Sequence, residues 1–507
     1  MVRPIGFARL LRFWWLLAAS LLHAKEASSR PVLQDLGALQ SALTAAVEGS
    51  KAPGASWGIQ VVSLKTGAVW YATNSSRLFV PASNSKLFSM ALALDRFGTG
   101  HVFTTTLRAA AAPDAEGRLN GDLWIDPGGD PAPGGGAGEL AGLDSYVSAL
   151  SKAGVRSMGG GLRIQEGLFE ADAFGPGWNW DDLAEAYGAP VGPVVFGGNT
   201  ARVVVRGGAR AGDAPQVRIE PVDGILDLEV SVVTVPTNRP ARVQLRRMPG
   251  SRRMEVRGEI QAGATYAERM SVPDPTEWFA RALRETLVRG KIPVKGDFVR
   301  TGSRMPGTVV LARVDSLPMA SLASLCLKPS DNLIAHQLWL QVGADVRLRP
   351  RNGEAPGRGD DSEAASAALG RFLAGLGIPG NEATLEEGSG LSRKNLVTPS
   401  ATVRLLRSMS RHPAGAAYRA ALPVGGVDGT LRTRFTEPGL RGNVVAKTGT
   451  LRHVHALGGY LTTAGGQPLA FALYVNGFQS ADPSASGRME MDRMVELLAR
   501  FAGRGPE

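Results

Sequence analysis

Pro81-Ala82-Ser83-Asn84-Ser85-Lys86-Leu87 is the stretch that decides the fold of this 507-residue chain. It sets a serine three residues before a lysine and opens an apolar helix that is predicted to end near Gly98. Residues three apart lie on one face of a helix, with about 5–6 Å between their Cβ atoms, so the amine of Lys86 can reach the hydroxyl of Ser83. A neutral lysine can take the serine proton and so create a nucleophile. Burial, a second cation and the positive helix N-terminus all favour the neutral amine.

The N-terminus has the pattern of a secretory signal peptide over residues 1–24. Three arginines precede an apolar run over 13–22, and Leu22-His23-Ala24 offers a cleavage site. The apolar run is too short to span a bilayer, although an uncleaved N-terminal anchor is the alternative. We therefore expect a periplasmic protein.

Composition narrows the expected partners. Hydrophobic residues make up 44% of the chain, and its length predicts two or three domains with a large core. Cys326 is the single cysteine, which excludes an intramolecular disulfide, and its apolar neighbours predict a buried structural thiol. The formal net charge of +10 fits either anionic wall polymers or simple solubility. Export argues against nucleic acid as a partner.

Periodicity predicts helices and strands at both ends of the chain. The expected helices cover 32–48, 319–342, 362–376 and 488–501, and the expected strands cover 56–63, 68–73, 444–450, 456–462 and 468–475. The middle of the chain differs: 126–138 and 175–182 are predicted loops, and 200–310 is predicted to be all-β. A basic cluster over 246–253 centres on a Pro-Gly turn, which favours a solvated hairpin tip over a polyanion site.

Three motifs in order resemble those of the penicillin-recognising serine acyltransferases: Ser83-x-x-Lys86, Ser330-Asp331-Asn332 and Lys447-Thr448-Gly449. An extra match, Lys65-Thr66-Gly67, lies upstream in a predicted turn and is interpreted as a hairpin tip. Because 247 residues separate Ser83 from Ser330, the chain is more similar to the class C low-molecular-mass penicillin-binding proteins, the D-alanyl-D-alanine carboxypeptidase/endopeptidase family, than to a compact β-lactamase. Further matching segments are 121–131, 175–182, 388–395 and 426–432.

The resemblance implies an α/β (α+β) fold. A penicillin-binding transpeptidase-like domain, with an antiparallel five-stranded sheet flanked by helices, is expected from residues 25–100 and 312–507. The insertion, 101–311, is expected to hold two smaller, mostly-β domains. No cofactor or metal is implied. His453 and His455 alternate on a strand, but no third ligand accompanies them, so they are interpreted as packing or surface residues.

The resemblance also implies a role for each motif residue. Ser83 would attack the peptide carbonyl, Lys86 would take its proton, Ser330 would relay that proton, and Asn332 would hold the substrate amide. The backbone N–H groups of Ser83 and Thr450 would form the oxyanion hole. On the strand over 444–450, Lys447 is expected to act in catalysis by lowering the pKa of Lys86 through like-charge repulsion. Lys447, Thr448 and Thr450 are also expected to bind the substrate carboxylate, and Gly449 to let the substrate lie close against the strand.

A second set of residues is expected to recognise the third residue of a stem peptide. Asp182 and Tyr187 match the acidic and aromatic positions of that pocket, and Arg393 matches the arginine of Ser-Gly-Leu-Ser-Arg. The alternative is that Asp182 caps a helix and Tyr187 packs in a core. Glu387 stands where the family usually has aspartate, and Arg452 stands where an uncharged residue is common.

The expected function is a penicillin-sensitive serine DD-peptidase acting on peptidoglycan stem peptides. A β-lactamase of the same superfamily and an inactive wall-binding scaffold are the alternatives. The chain has no Glu-x-x-Leu-Asn segment between Asn332 and Lys447, which argues against a class A β-lactamase, and five intact motif residues argue against a scaffold. The sequence does not separate carboxypeptidase from endopeptidase activity and leaves the oligomeric state open. The closing helix is expected to pack on the sheet, so membrane association is at most peripheral.

Overall fold

The computed structural model describes residues 33–136, 139–302, 308–351, 354, 359–479 and 487–506. The predicted signal peptide lies outside these residues. The helices are α1 (Leu36–Glu48), α2 (Ser85–Phe97), α3 (Asp144–Lys152), α4 (Pro275–Arg289), α5 (Met319–Leu327), α6 (Asn332–Leu348), α7 (Asp361–Gly375), α8 (Pro399–Met409), α9 (Gly415–Ala421) and α10 (Gly487–Arg500).

The strands alternate with these helices along the chain. They are β1 (Ser56–Ser63), β2 (Val69–Thr73), β3 (Thr104–Ala109), β4 (Arg118–Leu119), β5 (Leu123–Asp126), β6 (Ser157–Met158), β7 (Leu162–Gln165), β8 (Thr200–Arg206), β9 (Gln216–Glu220), β10 (Asp227–Val235), β11 (Arg242–Arg247), β12 (Arg253–Gln261), β13 (Thr265–Ser271), β14 (Phe298–Thr301), β15 (Val309–Asp315), β16 (Ala383–Thr384), β17 (Leu396–Val397), β18 (Val445–Leu451), β19 (Val454–Thr462) and β20 (Pro468–Asn476).

The two ends of the chain build one antiparallel five-stranded sheet, in the order β18-β19-β20-β1-β2. Alternate residues of β20 face opposite sides. Leu469, Phe471, Leu473 and Val475 join a core with α1 and α10, whereas Ala470, Ala472 and Tyr474 join a core with α2 and α6. Helices therefore cover both faces, as the predicted fold class requires.

The inserted residues form further sheets around a separate hydrophobic core. One sheet has the order β14-β7-β5-β3-β15, and two three-stranded sheets have the orders β13-β8-β9 and β10-β12-β11. Strand β15 continues past residue 311 to Asp315, and the division of the chain at 311 stays a prediction.

One helix corrects the all-β prediction for residues 200–310. Helix α4 begins at Pro275, with the side chain of Asp274 accepting a hydrogen bond from the N–H of Glu277. Its buried residues Trp278, Phe279 and Leu283 recur at helical spacing. The prediction was wrong here because the strand-like runs before residue 261 were extended through a segment whose helix cap, Asp274, was not recognised.

The basic cluster is a hairpin between β11 and β12, but its arginines are not simply solvated. Arg247 is buried and donates to the carbonyl and hydroxyl oxygens of Ser271 at 2.9 and 2.5 Å. Arg252 pairs with Glu277 at 2.7 Å, and Arg253 pairs with Glu229 at 2.6 Å. The prediction of a solvated tip is therefore wrong for Arg247.

No helix among the described residues combines the length and the apolar character needed to cross a bilayer. The closing helix α10 buries Met491, Met494, Val495 and Leu498 in the core beneath the sheet. Its apolar face is thus used in packing, as expected.

Candidate active site

Ser83 and Lys86 meet where a single 3-10 turn leads into α2. The turn spans Ala82–Asn84, and α2 begins at Ser85. The Nζ atom of Lys86 lies 3.0 Å from the Oγ atom of Ser83. It also donates to Oδ1 of Asn332 and to the carbonyl of Ser389, each at 2.6 Å.

Lys86 is completely buried. Burial lowers its pKa, because a charged ammonium loses its hydration there, whereas Cys326, Glu387 and Asp331 act in the opposite direction. Cys326 is buried, as predicted, and burial raises its thiol pKa to about 12. The lysine thus sits in the kind of setting that favours a neutral base.

The second motif lies in the break between α5 and α6. Ser330 adopts a left-handed backbone with φ +69°, and the side chain of Asp331 caps α6 by accepting from the N–H of Ile334. The continuous helix predicted over 319–342 is therefore interrupted at 328–331. This break aims Ser330 at Lys447 and places Asn332 at the first turn of α6.

The third motif lies on β18, an edge strand of the sheet. Lys447 is completely buried and donates to Oγ of Ser330 at 2.8 Å. Burial lowers its pKa well below the ordinary value, and repulsion from Lys86 lowers it further. The hydroxyl oxygen of Thr448 lies 2.8 Å from that of Thr430.

Gly449 and Thr450 complete the strand beside Ser83. A Cβ at Gly449 would lie 2.6 Å from the carbonyl oxygen of Pro81 and 3.2 Å from the Cβ of Ala82. The absence of a side chain therefore lets β18 approach the turn that carries Ser83. Thr450 is exposed above this contact.

The extra copy of the third motif lies elsewhere. Residues 65–67 form the turn between β1 and β2, where the N–H of Gly67 donates to the carbonyl of Ser63. Strand β2 is the edge of the sheet opposite β18. The interpretation of this copy as a hairpin tip is confirmed.

Asp182 and Tyr187 lie on a segment that touches the second motif. The carboxylate of Asp182 accepts from the hydroxyl of Tyr187 at 2.8 Å and from the side-chain amide of Asn179 at 3.0 Å. The carbonyl of Tyr187 accepts from the side chain of Asn332 at 2.9 Å. The Tyr187 side chain is 51% exposed, and Asp182 caps no α-helix in the described chain. The capping and core-packing alternatives therefore do not hold.

Tyr187 also has a perturbed hydroxyl. Its pKa is raised, first by burial of the hydroxyl and then by the hydrogen bond to Asp182. The phenol consequently remains a donor to that carboxylate at neutral pH.

Arg393 lies on a different segment from Asp182 and Tyr187, just before β17 begins at Leu396. It is exposed and donates to the carbonyl of Arg452, also exposed, at 2.7 Å. The loop over residues 175–182, which contains two tryptophans, lies against the segment that carries Arg393. A Cβ at Gly177 in this loop would lie 2.5 Å from Oγ of Ser392. Among the described contacts, no hydrogen bond or ion pair joins Arg393 to Asp182.

Sequence reasoning marked Glu387 only as a departure and missed Ser389 and Thr430. Glu387 and Ser389 are completely buried, and the Ser389 carbonyl contacts Lys86 directly. The available signal was the polar character of a loop that matches the family motif. Nothing in the linear sequence places that loop under α2.

The two histidines follow β18 and do not alternate on one strand, so that prediction is wrong: His453 lies in the turn before β19 with φ +65°, because the chain reverses there. His455 lies on β19, where its Nδ1 atom is 3.4 Å from the hydroxyl oxygen of Thr450. Nδ1 of His453 lies 2.9 Å from the carbonyl oxygen of Phe478, and the His455 ring stacks on Phe478 at 5.1 Å. Burial lowers the pKa of His455 to about 4. The described residues contain no group of three or more His, Cys, Asp or Glu side chains placed to hold a metal.

Comparison with known proteins adds the family. The curated D-alanyl-D-alanine carboxypeptidase of Actinomadura sp. strain R39 is 29% identical over 502 residues, covering 96% of this chain and 89% of that protein. D-alanyl-D-alanine carboxypeptidase DacB of Haemophilus influenzae is 26% identical, covering 81% and 83%.

Solved structures agree on the fold. Penicillin binding protein 4 from Haemophilus influenzae superposes with a TM-score of 0.77 at 23% identity, covering 91% of this chain and 99% of that one. A predatory endopeptidase from Bdellovibrio bacteriovorus gives a TM-score of 0.51 at 15% identity, covering 89% and 95%. The model of the D-Ala-D-Ala carboxypeptidase 3 (S13) family matches residues 39–501. The predicted resemblance is confirmed, and the chain belongs to the D-Ala-D-Ala carboxypeptidase 3 (S13) family.

Proposed function

We propose that this serine DD-peptidase cleaves D-Ala-D-Ala bonds of peptidoglycan stem peptides through an acyl-enzyme on Ser83. The proposal rests on the three polar contacts that the buried Lys86 amine makes. A neutral amine has two N–H donors and one lone pair. The two contacts at 2.6 Å, to Asn332 and to the Ser389 carbonyl, use the donors. The lone pair then faces the Ser83 hydroxyl, 3.0 Å away.

The Ser83 proton is transferred twice, first when the acyl-enzyme bond forms and again when D-alanine leaves. The Ser83 oxygen bonds to the carbonyl carbon while its proton moves to Lys86. The bond to the departing D-alanine then breaks, and the amine nitrogen takes up this proton, with Ser330 as the relay. Water hydrolyses the ester and restores the Ser83 hydroxyl.

Groups on both sides of Ser83 would stabilise the negative charge that develops on the carbonyl oxygen of the substrate. We assign the oxyanion hole to the N–H groups of Ser83 and Thr450, where one donor is typically worth about 3–4 kcal/mol. The close contact of Gly449 with Pro81 supports this, because it draws β18 toward the nucleophile. Lys447, with Thr448 and Thr450, would bind the terminal carboxylate of a peptide or the carboxylate of a β-lactam.

We assign recognition of the third stem-peptide residue to Asp182, Tyr187 and Arg393. The carboxylate of Asp182 suits an ammonium, as in diaminopimelate or lysine, and Tyr187 fixes the direction of that carboxylate. The hydrogen bond from Asn332 to Tyr187 links this pocket to the reacting centre. Arg393 would complete it.

Extracytoplasmic action follows from the substrate class. We infer export to the periplasm through the signal peptide over residues 1–24. β-Lactams are the second ligand class, since penicillin binding protein 4 of Haemophilus influenzae is known in complex with a novel beta-lactam.

The decisive experiment labels the purified mature protein with a fluorescent penicillin. The label is expected on the wild type and absent from Ser83→Ala. Ser85→Ala is the matched control, because its hydroxyl accepts from Asn395 instead of facing Lys86, and it is expected to keep the label. Digestion of defined muropeptides then separates carboxypeptidase from endopeptidase activity.

Two outcomes would contradict the proposal. Rapid nitrocefin turnover without a long-lived adduct would favour a β-lactamase. A folded wild type that takes no label and turns over no β-lactam would favour the scaffold.

A further inference from the structure

We propose that Glu387 is a positioning residue, which holds the carbonyl of Ser389 against Lys86 and thereby aims the lysine amine at Ser83. The inference rests on the proposed Ser83 acyl-enzyme. It gives a task to a residue that sequence comparison marks only as a departure from aspartate.

The carboxylate of Glu387 is completely buried and surrounded by neutral donors. One oxygen accepts from the N–H and the hydroxyl of Ser389, at 2.7 and 2.5 Å. The other accepts from the N–H groups of Gly390 and Ser392, at 2.6 and 3.4 Å, and from the amide of Asn395 at 2.9 Å. In the part of the chain that the structure describes, no Lys or Arg pairs with it. The shape of this loop therefore depends on one carboxylate.

The loop grips the helix that carries the lysine. The carbonyl of Ser389 accepts from Nζ of Lys86 at 2.6 Å, and the carbonyl of Gly388 accepts from the hydroxyl of Ser89 at 2.8 Å. Ser389 is one of the two acceptors that occupy the N–H groups of a neutral Lys86. Its carbonyl thus sets the direction in which the amine lone pair points.

The loop that contains Glu387 and Ser389 also packs closely against Ala82, the residue before Ser83. Gly390 has φ +86°, and a Cβ there would lie 1.9 Å from the carbonyl oxygen of Ala82. Asn395, which donates to Glu387, also donates to the hydroxyl of Ser85 at 3.1 Å. Glu387 is therefore coupled to both sides of Ser83 through contacts of one or two steps.

Four titratable groups face Lys86, one each from α5, the start of α6, β18 and the loop before β17: Cys326, Asp331, Lys447 and Glu387. Burial raises the pKa values of Asp331 and Cys326, and Lys447 repels the ammonium. His336 lies near Glu387 on α6, and burial lowers its pKa, which keeps it neutral at neutral pH. Among these groups, Glu387 alone accepts hydrogen bonds from the residue whose carbonyl oxygen touches Lys86.

The test measures the second-order rate of acylation by fluorescent penicillin against pH. Glu387→Gln keeps the size but presents an amide N–H₂ to donors, so acylation is expected to slow about 100-fold. Loss of the negative charge lowers the pKa of Lys86, so the acid limb is expected to move about one unit to lower pH. Glu387→Asp keeps the charge, so the acid limb of the pH profile is expected at the wild-type position. Its acylation rate is expected to stay within about tenfold of the wild-type rate.

Glu386→Gln is the matched control. It makes the same chemical change at the neighbouring, half-buried residue, whose carboxylate lies 3.3 Å from Lys394. Wild-type rate and pH profile are expected. If Glu387→Gln does not fold, Ser389→Ala replaces it. Losing the hydroxyl that binds Glu387 loosens the carbonyl that accepts from Lys86, which destabilises the ammonium, so the acid limb should move about half a unit to lower pH.

Three results would overturn the proposal. They are a folded Glu387→Gln with the wild-type rate and limb, a slowed Glu387→Gln whose limb does not move, and an unmoved limb in Ser389→Ala. An unlabelled wild type would instead overturn the acyl-enzyme itself and this inference with it.

Discussion

The active site has a floor of three buried residues, Lys86, Glu387 and Lys447. Its rim consists of the half-buried Asp182 and the exposed Tyr187, Arg393 and Arg452. All three floor side chains are completely inaccessible to solvent, whereas Tyr187 is 51% exposed. In the floor, charges act on one another with little screening, so each ionisation state depends on its neighbours. At the rim, water and salt screen each charge, so single contacts contribute less.

This difference separates chemistry from recognition. Penicillin and peptide share the acyl transfer to Ser83, so changes in the floor should impair both. Only the peptide carries a stem side chain, so changes at the rim should impair the peptide alone. Substitutions in the floor and at the rim therefore test that separation.

The largest effect is expected for Lys447→Met. It removes the donor to Ser330 and the cation that would bind the substrate carboxylate, so penicillin acylation and peptide cleavage should both fall about 10³-fold. Lys65→Met is the matched control, because Lys65 occupies the same motif in an exposed turn. Stopped-flow acylation and muropeptide hydrolysis measure the two rates. A loss of peptide cleavage without a loss of penicillin acylation would show that Lys447 acts in peptide recognition and not in the shared chemistry.

The next effect is a pH dependence set by the floor. Burial lowers the pKa of Lys86 from its ordinary value of 10.5, so the neutral base is present below that pH. Where the ammonium form predominates, the neutral fraction and therefore the acylation rate should rise about tenfold per pH unit. The rate should level off before pH 10.5 is reached. Acylation that still rises through that pH would show that Lys86 is not the base.

Two of the three floor residues, Lys86 and Lys447, were predictable from the sequence together with the other motif residues, because few residue types can do this chemistry; the role of Glu387 was not. Ser83, Lys86, Ser330, Asn332 and Lys447 stand in ordered motifs, and the structure brings them together. Strands such as β1, β19 and β20 were predictable from their residue patterns, whereas their assembly into one five-stranded sheet was implied by the family resemblance.

The residues that support the floor were not predictable from local sequence. Ser389 lies 303 residues from Lys86 along the chain, so only tertiary folding reveals their contact. The burial of Arg247 against Ser271 and the left-handed backbone at Ser330 likewise depend on neighbours that local sequence does not name. Helix α4 was missed for a simpler reason, because its cap at Asp274 was not recognised between strand-rich segments.

At the rim, Asp182→Asn should weaken peptide binding while sparing penicillin. The amide removes the charge that attracts a substrate ammonium, so KM for a diaminopimelate-containing peptide should rise about tenfold. Acylation by penicillin should stay within about twofold. Asp181→Asn, one residue away and exposed, is the control. Equal losses with penicillin and peptide would mean that Asp182 supports the floor through Tyr187 and Asn332.

The smallest effect is expected for Arg452→Gln, because a single exposed guanidinium interacts with substrate through water and salt. KM should rise about threefold at low salt for peptides with an extra carboxylate, and the difference should disappear near 1 M salt, where the Debye length is about 3 Å. Arg242→Gln, an exposed arginine on β11, keeps the same change in net charge and should leave KM unaltered. A salt-independent loss shared with penicillin would contradict this screened, peptide-specific role for the Arg452 side chain.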